Sequence, residues 1–409
     1  MKVPKIRFKG ENSNYIFWKF EILFSYASEW WTPDTNNKNF YLNWDIPFVK
    51  IEDTENKYIK NTKSFITKEW LKHSSAWLIP SNNIIFTNGA TVWNVAINKI
   101  PVATKQGILW IIPNKNIDKE YMYYLLSNTH FQNEVKNRTA KWTFETIILR
   151  NLKEIPISLP SLSEQEKIWS LFEQLDSHIS KNQQKLEKLK NMKQSFLQKL
   201  FPKNWSALPE LRFKGFEEAW EEKKLGESLM SIQTWTNLLW WNDEKWTPLL
   251  KMWNIQRWFF DLSKLEYIAP QLQVEQENIA YYWDFFFNTR NTLELVGKWA
   301  TRMWENGKFA FNSNIARFKL KNINTIFFNY LYNTNEIKKQ ISARAMWTTS
   351  VAAIYPTNLY TVEYKIPSLP EQEKIWAFFE KLDTQITQQT QKIQKLQNLK
   401  QSLLEKMFI

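Results

Sequence analysis

A few side chains in this sequence could, by type and spacing, do chemistry on a phosphate ester. Pro33-Asp34 is followed by Glu55 and Lys57. Two carboxylates and a lysine can hold Mg²⁺ and activate a water molecule. Spacing this loose arises often by chance, so a turn and a solvated loop are the favoured interpretation. The three histidines of the chain are far apart in sequence, which argues against a histidine-based nuclease.

Other catalytic motifs are missing from the sequence. An adenine methyltransferase needs an [N/D]-P-P-[F/Y] loop to hold its flipped base, and no two prolines are adjacent. A phosphate-binding G-x-x-x-x-G-K-[ST] loop is also absent. The chain has no cysteine, which excludes disulfides and cysteine-ligated metal sites. We therefore expect a binding protein without metal or catalytic residues of its own.

The charge of the chain indicates what it binds. Its 54 basic and 41 acidic residues give a net charge of +13. This balance favours a polyanionic partner, nucleic acid before membrane. The sequence has no apolar run of membrane-spanning length, and its first residues lack the apolar core of a signal peptide. We expect a soluble, cytoplasmic protein.

The elements that must position the binding residues occur twice. Residues 160–200 match residues 367–407 without a gap, at an offset of 207. The segment RFKG occurs at 7–10 and again at 212–215, so the repeat extends beyond this stretch. A repeat of this length predicts two copies of one structural unit.

Each copy of the long repeat predicts a helix of roughly 37 residues, about 55 Å long, with Ser163 as the cap of the first helix. Apolar residues recur at alternating steps of four and three, which is a heptad pattern. The polar layers also match, Asn182 with Gln389 and Lys193 with Lys400, which favours one intramolecular coiled coil over two separate surface helices. The predicted seam comprises Ile168, Phe172, Leu175, Ile179, Leu186, Leu189, Ile375, Phe379, Leu382, Ile386, Ile393 and Leu396.

Two variable blocks, residues 29–145 and 232–350, precede the helices. Their apolar runs and turn residues predict strands and one helix in each block. The predicted strands are Ile46–Ile51, Ile84–Thr87, Val95–Ile97 and Gly107–Ile112 in the first block, and Pro248–Met252, Phe285–Asn288 and Phe309–Phe311 in the second. The predicted helices are Lys119–Asn133 and Thr325–Ser342. The sequences at the ends of the blocks agree between the copies and the middles diverge. This pattern is typical of two similar modules with different binding specificities.

The composition is abnormal in two residue types. The chain has 7 Gly and 23 Trp, and several Trp stand in turn contexts where Gly usually serves, such as Trp30-Trp31 before Thr-Pro. We hypothesise that most are Gly, encoded by a reassigned UGA codon, and that Trp18, Trp77 and Trp220 are true Trp. The alternative is a Trp-rich protein with sugar-binding or stacking surfaces. Peptide masses that show Trp at positions 30 and 31 would exclude the hypothesis.

Together these motifs resemble a known family. They are the paired PSL-[S/P]-EQEKI segments, the Leu-Asp pairs at 175–176 and 382–383, PELRFKGF at 209–216 and IPFVKIED at 46–53. The chain resembles, over nearly its whole length, the specificity subunit of a type I restriction–modification system. If Trp30-Trp31 is Gly-Gly, the run EGGTPDT is also typical of this family.

The resemblance implies an architecture and a function. The fold would be two α/β (α+β) target recognition domains, joined by two long antiparallel coiled-coil helices in a pseudo-two-fold internal repeat. The domains are predicted at residues 1–159 and 204–366, and the spacer helices at 160–203 and 367–409. Each domain would read one half of a split, asymmetric sequence in double-stranded DNA, and the helix length would set the unread gap.

The resemblance also implies partners that do the chemistry. Two modification subunits would dock on this chain and methylate adenine with S-adenosylmethionine. Restriction subunits, which use ATP and Mg²⁺ for motor and nuclease activity, could join them. This chain itself would be non-catalytic and would hold no cofactor.

In such a protein the DNA contacts come from the variable blocks. Phosphates are bound by Lys and Arg, and base edges by Arg, Asn or Gln. The candidates are Lys50, Asn88, Lys105, Gln106, Arg138, Lys141, Lys251, Arg257, Arg290, Arg302 and Arg344. Lys141 and Arg344 precede equivalent Trp-Thr turns and are favoured as a pair. On this basis Arg344→Ala weakens DNA binding and leaves subunit assembly unchanged.

Two alternatives stay open from the sequence. The chain could be an orphan DNA-binding or scaffold protein without a methyltransferase partner, which a neighbouring gene with N-P-P-[F/Y] would argue against. It could also be a carbohydrate binder if all of its Trp are real.

Overall fold

The described part of the chain forms two compact units. The structure, a computed structural model, describes residues 4–11, 14–28, 45–89, 93–141, 145–203, 206–235, 240–241, 246–257, 259–268, 274–282, 284–301, 307–347 and 351–408. Unit 1 comprises residues 1–183 and 391–409, and unit 2 comprises residues 184–390. Each unit therefore contains one variable block, the first part of one long helix and the last part of the other. The domain boundaries given above stay a prediction.

The chain up to the end of the first long helix alternates short strands and helices. The helices are α1 (Lys68–Lys72), α2 (Lys119–Ser127), α3 (Thr129–Asn137), α4 (Leu149–Lys153) and α5 (Leu162–Lys199), with 3₁₀ turns at Phe20–Leu23 and Ile51–Thr54. The strands are β1 (Ile16–Lys19), β2 (Phe24–Ser28), β3 (Ile46–Val49), β4 (Tyr58–Ile59), β5 (Ser64–Ile66), β6 (Ile84–Thr87), β7 (Val95–Asn98), β8 (Ala103–Thr104), β9 (Ile108–Pro113), β10 (Ala140–Lys141), β11 (Glu145–Thr146) and β12 (Pro156–Leu159).

The second half of the chain has a similar order with some differences. Its helices are α6 (Leu225–Ser228), α7 (Thr325–Leu331), α8 (Asn335–Ala343) and α9 (Leu369–Met407), with 3₁₀ turns at Gln276–Asn278 and Pro356–Thr361. Its strands are β13 (Glu221–Lys224), β14 (Leu229–Gln233), β15 (Trp240–Trp241), β16 (Thr247–Leu250), β17 (Glu266–Ile268), β18 (Ile279–Ala280), β19 (Phe285–Asn288), β20 (Arg290–Asn291), β21 (Trp299–Ala300), β22 (Phe309–Phe311), β23 (Ile315–Leu320), β24 (Met346–Trp347), β25 (Ala352–Ala353) and β26 (Glu363–Ile366).

The sheets of the two units correspond, although the sequences of the blocks diverge. Unit 1 has a sheet of order β2-β9-β6-β7-β4, and unit 2 has the matching order β14-β23-β19-β21. The group β5-β3-β8 has its counterpart in β17-β16-β22, with one antiparallel and one parallel pair in each. The pair β1-β12 corresponds to β13-β26. The predicted fold class, two α/β domains joined by long antiparallel helices in an internal repeat, is confirmed.

The long helices follow the predicted heptads, but the first helix begins earlier than predicted. Ser161, not Ser163, caps α5, because the Glu164 amide donates to Ser161 Oγ at 3.3 Å. Each predicted seam residue is buried or half-buried: Ile168, Phe172, Leu175, Ile179, Leu189, Ile375, Phe379, Leu382 and Ile393 are buried, and Leu186, Ile386 and Leu396 are half-buried.

The repeated EQEK segment has a structural function, which unit 1 shows first. Glu164 is fully buried and accepts two hydrogen bonds from the Arg7 guanidinium, at 2.8 and 2.7 Å. The adjacent Gln165 accepts from the amide of Asp118, the residue that caps α2, and donates to the carbonyl of Pro160. A two-point Arg–carboxylate pair fixes both distance and orientation. The motif therefore ties RFKG and α2 to the start of α5.

Unit 2 repeats these contacts. Glu371 is 1% exposed and accepts from Arg212 at 2.8 Å through each of its oxygens. Gln372 accepts from the amide of Asn324, the cap of α7, and donates to the Pro367 carbonyl. The repeated motifs thus encode one joint, built twice.

In unit 1 the Leu-Asp motif holds the end of the other long helix. Asp176 accepts from Tyr124 at 2.8 Å and from the Lys400 ammonium at 2.5 Å. Phe408, at the end of α9, lies with its ring centroid 6.0 Å from that of Phe172 and stacks on Tyr121. Residue numbers rise along α5 as they fall along α9, so the helices run antiparallel in this unit.

The same arrangement occurs in unit 2. Asp383 accepts from Tyr330 at 2.7 Å and from Lys193 at 2.5 Å. Burial lowers the pKa of Lys193 although Asp383 opposes the shift. Phe201, at the end of α5, stacks on Phe379. The polar layer predicted at Lys193 and Lys400 is thus a pair of ion pairs with the aspartates of the Leu-Asp motifs.

Each predicted block helix is two helices. Lys119–Asn133 is interrupted at Asn128, whose extended backbone caps α3 through a hydrogen bond from Phe131 to its side chain. Thr325–Ser342 is interrupted after α7, and Thr334 precedes α8 with an extended backbone. Side chains that bond their own backbone compete with the helix at these positions.

The predicted strands are present with shifted ends. Ile84–Thr87, Phe285–Asn288 and Phe309–Phe311 match β6, β19 and β22. The strand predicted at Ile46–Ile51 stops at Val49, because a 3₁₀ turn begins at Ile51. No helix in the described ranges combines the length and apolarity that a membrane span requires.

The tryptophan hypothesis meets mixed observations. Trp220 is 4% exposed and packs against Phe201 and Phe327, as expected of a true Trp. Trp70 and Trp299, which the hypothesis assigns to Gly, are also buried. The indole N–H groups of Trp70, Trp220 and Trp299 all lack a hydrogen-bond partner within the described residues, so this feature does not separate true Trp from Gly. In that part of the chain no Trp has a positive φ. Trp30 and Trp31 lie outside the described residues.

Candidate nucleic-acid interface

Three of the candidate residues of unit 1 lie together at the ends of two parallel strands. β3 and β8 pair with Phe48 opposite Ala103 and Val49 opposite Thr104. The next residue on each strand is a lysine, and the Lys105 amide donates to the Val49 carbonyl at 3.1 Å. Lys105 and Gln106 are exposed and Lys50 is half-buried. This strand end presents two cations and one amide, groups that bind phosphates and base edges.

Unit 2 has the equivalent strand end with different residues. β16 and β22 are parallel, and the Asn312 amide donates to the Leu250 carbonyl at 2.9 Å. Lys251 occupies the position of Lys50, and its ammonium forms an ion pair with Glu266. Asn312 occupies the position of Lys105 and is followed by Ser313. Both strand ends therefore carry polar groups, but of different kinds.

A shared local motif places the two lysines. The Lys50 amide donates to Asp53 Oδ2, and the Lys251 amide donates to Asn254 Oδ1, each at 2.9 Å. This motif, P-x-x-K-x-x-[D/N], starts at Pro47 and at Pro248 and was not among the predicted features. Asn312, Ser313 and Asn314 were not predicted either, although they lie at the offset of 207 from Lys105, Gln106 and Gly107.

Arg138 and Arg344 occupy equivalent places, each at the C-cap of its helix, α3 or α8. Arg138 forms an ion pair with Glu134. The Arg344 guanidinium donates to the Asn358 carbonyl at 3.1 Å and to the Thr361 carbonyl at 2.9 Å. These contacts give Arg344 a structural function at the helix end, whether or not it also meets DNA.

The remaining candidates are scattered. Asn88 is fully buried and donates to the Ile147 carbonyl at 3.2 Å, so a contact with DNA would require it to leave this position. Arg257 is exposed and donates to the Glu294 carbonyl at 2.9 Å, and Arg290 is exposed on β20. The backbone of Lys141 lies in β10, paired with β11, and Arg302 lies outside the described residues.

The loose carboxylate pattern does not form a metal site in the described residues. Lys57 is 12% exposed and forms ion pairs with Glu120 and Glu173, so it is neither solvated nor aimed at a phosphate. Pro33-Asp34 lies outside the described residues. Within the ranges that are described, no three His, Cys, Asp or Glu residues group as metal ligands would.

Comparisons with known proteins agree with this arrangement. The sequence matches the family model described as type I restriction modification DNA specificity domain over residues 31–191 and 261–398. It is 31% identical over 215 residues to the type I restriction enzyme MjaIX specificity subunit of Methanocaldococcus jannaschii, which covers 50% of this chain and 49% of that one. It is 25% identical over 150 residues to the EcoR124I/EcoR124II specificity subunit of Escherichia coli, which covers 36% and 37%. The matched segments thus span about half or less of these curated relatives.

Solved structures share the fold over nearly the whole chain. The S subunit of a type I restriction-modification system from M. genitalium matches with a TM-score of 0.61 at 15% identity, covering 100% of this chain and 99% of that one. A chain from a structure on complex assembly and conformational transition of the type I R-M system matches with a TM-score of 0.61 at 18% identity, covering 96% and 97%. Because the family model covers most of the sequence, the chain belongs to the type I restriction-modification DNA specificity family, as a specificity subunit with DNA target recognition domains.

Proposed function

We propose that this chain reads a bipartite, asymmetric DNA target, one half with each recognition domain. The proposed domains are residues 1–159 and 204–366, and the proposed spacer helices are residues 160–203 and 367–409. One observation carries the proposal: equivalent parallel strand ends carry different polar residues, Lys50, Lys105 and Gln106 in one domain and Lys251, the buried Asn312 and Ser313 in the other. One framework with two different sets of polar groups suits two different half-sites.

The proposed contacts divide by chemistry. Exposed cations such as Lys105 and Arg290 bind phosphates, which gives affinity without sequence choice. Gln106 carries an exposed amide, which can donate and accept at one base edge. Asn312 is 8% exposed and its Oδ1 accepts from the Asn314 amide at 2.8 Å, so in unit 2 the neighbouring Ser313 is the more accessible polar group. We propose the other candidates, including Lys141 and Arg302, as DNA contacts on sequence grounds alone.

The chain acts through partners. We propose that two modification subunits dock on the two equivalent halves and methylate adenine with S-adenosylmethionine. Restriction subunits that use ATP and Mg²⁺ could complete a nuclease. The sequence lacks the N-P-P-[F/Y] loop and the phosphate-binding loop, which supports a non-catalytic subunit with no cofactor of its own. We propose that the complex works in the cytoplasm, where it meets its DNA.

A methylome of native DNA tests this proposal. Sequencing that detects N6-methyladenine should show a split motif, two short defined parts around a fixed gap, and deletion of this gene should abolish that motif. If the motif survives the deletion, another protein specifies it. If native DNA has no split motif and the purified chain prefers no sequence, the chain acts as an orphan DNA-binding or scaffold protein.

A further inference from the structure

Lys57 in unit 1 lies in a cage of acidic and aromatic side chains. Its ammonium contacts Glu120 at 3.0 Å, forms an ion pair with Glu173, and donates to Tyr124 Oη at 3.2 Å. It lies 4.5 Å from the ring centroid of Tyr124, and 5.0 Å and 5.3 Å from those of Tyr58 and Tyr123. An ammonium at these distances from aromatic faces is attracted by each ring. With 12% of its side chain exposed, Lys57 is fixed from several sides.

The cage joins three elements. The Lys57 carbonyl accepts from the Ile97 amide of β7, and Tyr58 begins β4, so the lysine belongs to the edge of the domain's sheet. Glu120 lies on α2, and Glu173 lies on the long helix α5. Lys57 is therefore a link between the edge of the sheet and the spacer helix.

One part of this link differs in unit 2. The sheet of unit 1 ends in β4, whereas the matching sheet of unit 2, in the residues that the structure describes, ends in β21. At the position of Glu120, unit 2 has Ile326, which is 2% exposed. An apolar side chain there cannot pair with a cation, so the Glu120 contact of the cage has no counterpart at this position.

The Glu120 carboxylate responds to the lysine. Burial would raise the pKa of Glu120, but the hydrogen bond and charge of Lys57 outweigh it and lower the pKa. Tyr58 also donates to Glu120, at 2.9 Å. Glu120 also pairs with Lys99 at 3.5 Å. Removal of the Lys57 cation therefore breaks its pairs with Glu120 and Glu173 and leaves Glu120 with Lys99 as a cation.

We propose that Lys57 is a positioning residue that fixes the angle of the first recognition domain on the spacer helix and thereby restricts the accepted gap between the half-sites. The proposal rests on bipartite recognition, the proposed function. A domain held by fewer contacts would sample more orientations, and a complex with such a domain would accept targets whose gap is one base pair too short or too long. Its choice of bases within each half-site would not change, because Lys57 lies in the joint.

The test uses the chain assembled with its modification subunits and the target that the methylome supplies. Binding is measured by competition on DNA with the native gap, with gaps one base pair shorter and longer, and with one base changed in each half-site. Lys57→Met should reduce the preference for the native gap by about three- to tenfold, the effect expected when one network of coupled side chains is lost. Base preference should stay at the wild-type value, and Lys57→Arg, which keeps the cation, should restore gap preference.

Matched variants separate this effect from general damage. Lys60→Met removes an exposed lysine that lines the same cleft and should behave as wild type. Glu173→Gln removes a carboxylate that is 41% exposed, and it serves as the second variant if Lys57→Met is poorly folded. Unchanged gap preference in folded Lys57→Met or Glu173→Gln, with a selective wild type, overturns the proposal and leaves the proposed function intact. A wild type without gap preference overturns both.

Discussion

The pair Arg212–Glu371 offers a quantitative test of how the long helix is attached in unit 2. Glu371 is 1% exposed, and both of its oxygens accept from Arg212 at 2.8 Å. Glu371→Gln keeps the shape of the side chain and removes its charge. It also places an NH₂ group opposite the guanidinium, and because both groups are hydrogen-bond donors, one of the two hydrogen bonds is lost. Breaking a buried ion pair on one side costs about 3–5 kcal/mol. Since Arg212 is 15% exposed, water can reach part of it, and we expect about 3 kcal/mol.

Scanning calorimetry measures this loss. In a unit of this size a loss of 1 kcal/mol lowers the midpoint by about 2–4 °C, so the unfolding of unit 2 should occur about 6–12 °C lower. The control is Glu210→Gln, which changes an exposed carboxylate paired with Lys199 and Lys203 and should leave the midpoint unchanged. An unchanged midpoint in Glu371→Gln, or an equal fall of the midpoint in both variants, would refute the reasoning that this pair stabilises unit 2 because it is buried.

Three further predictions concern the seam, the cage and the DNA contacts. Leu189→Asp puts a charge at a seam position that is 9% exposed and should lower the free energy of unfolding by at least about 4 kcal/mol, measured in urea; stability near wild type would exclude Leu189 from the seam. The stabilisation that Glu120 provides is complete above its ordinary pKa of 4.5 and is lost as the pH falls through its lowered pKa, so wild type should lose more stability than Glu120→Gln as the pH falls below 4.5 in acid unfolding; parallel curves would contradict this. Arg290→Ala should reduce the slope of log affinity against log salt by about 1, with an unchanged unfolding midpoint; an unchanged slope would exclude a phosphate contact.

The long helices could be predicted because their signal is local and periodic. Steps of four and three residues located the seam from Ile168 onward, and the burial of those positions follows from the heptad. The partner of Lys193 could not be predicted, since Asp383 lies 190 residues away along the chain. The pattern marked a polar layer, and only the fold showed which carboxylate satisfies it.

The block helices show where a local signal failed. A continuous apolar pattern predicted one helix through Asn128, but the side chain of this residue accepts from the Phe131 amide and starts a second helix instead. Asn at such a position signals a cap as well as a helix interior. Attention to the residue type, and not only to the spacing, would have placed the break.

The candidate site depends on pairings that sequence does not contain. Lys50 and Lys105 were chosen separately for their charge, and the parallel pairing of β3 with β8 brings them together. Asn88 was chosen for its amide, yet its amide is used inside the unit, on the carbonyl of Ile147. Non-local strand pairing thus decides which polar side chains face outward, and composition alone cannot.

The internal repeat gives a comparison within one chain of what each position requires. Glu164 and Glu371 make the same two-point contact with an arginine, so both copies of the joint use the same pair of side chains. At the strand ends the backbone bond is kept, from residue 105 to 49 and from 312 to 250, while lysine becomes asparagine. The two copies keep the same side chains where those side chains form the Arg–Glu contact. At the strand ends, where a backbone hydrogen bond joins the two strands, the side chains differ between the copies. A framework divided in this way can carry different polar groups on the same backbone, which suits the proposed recognition of two different half-sites.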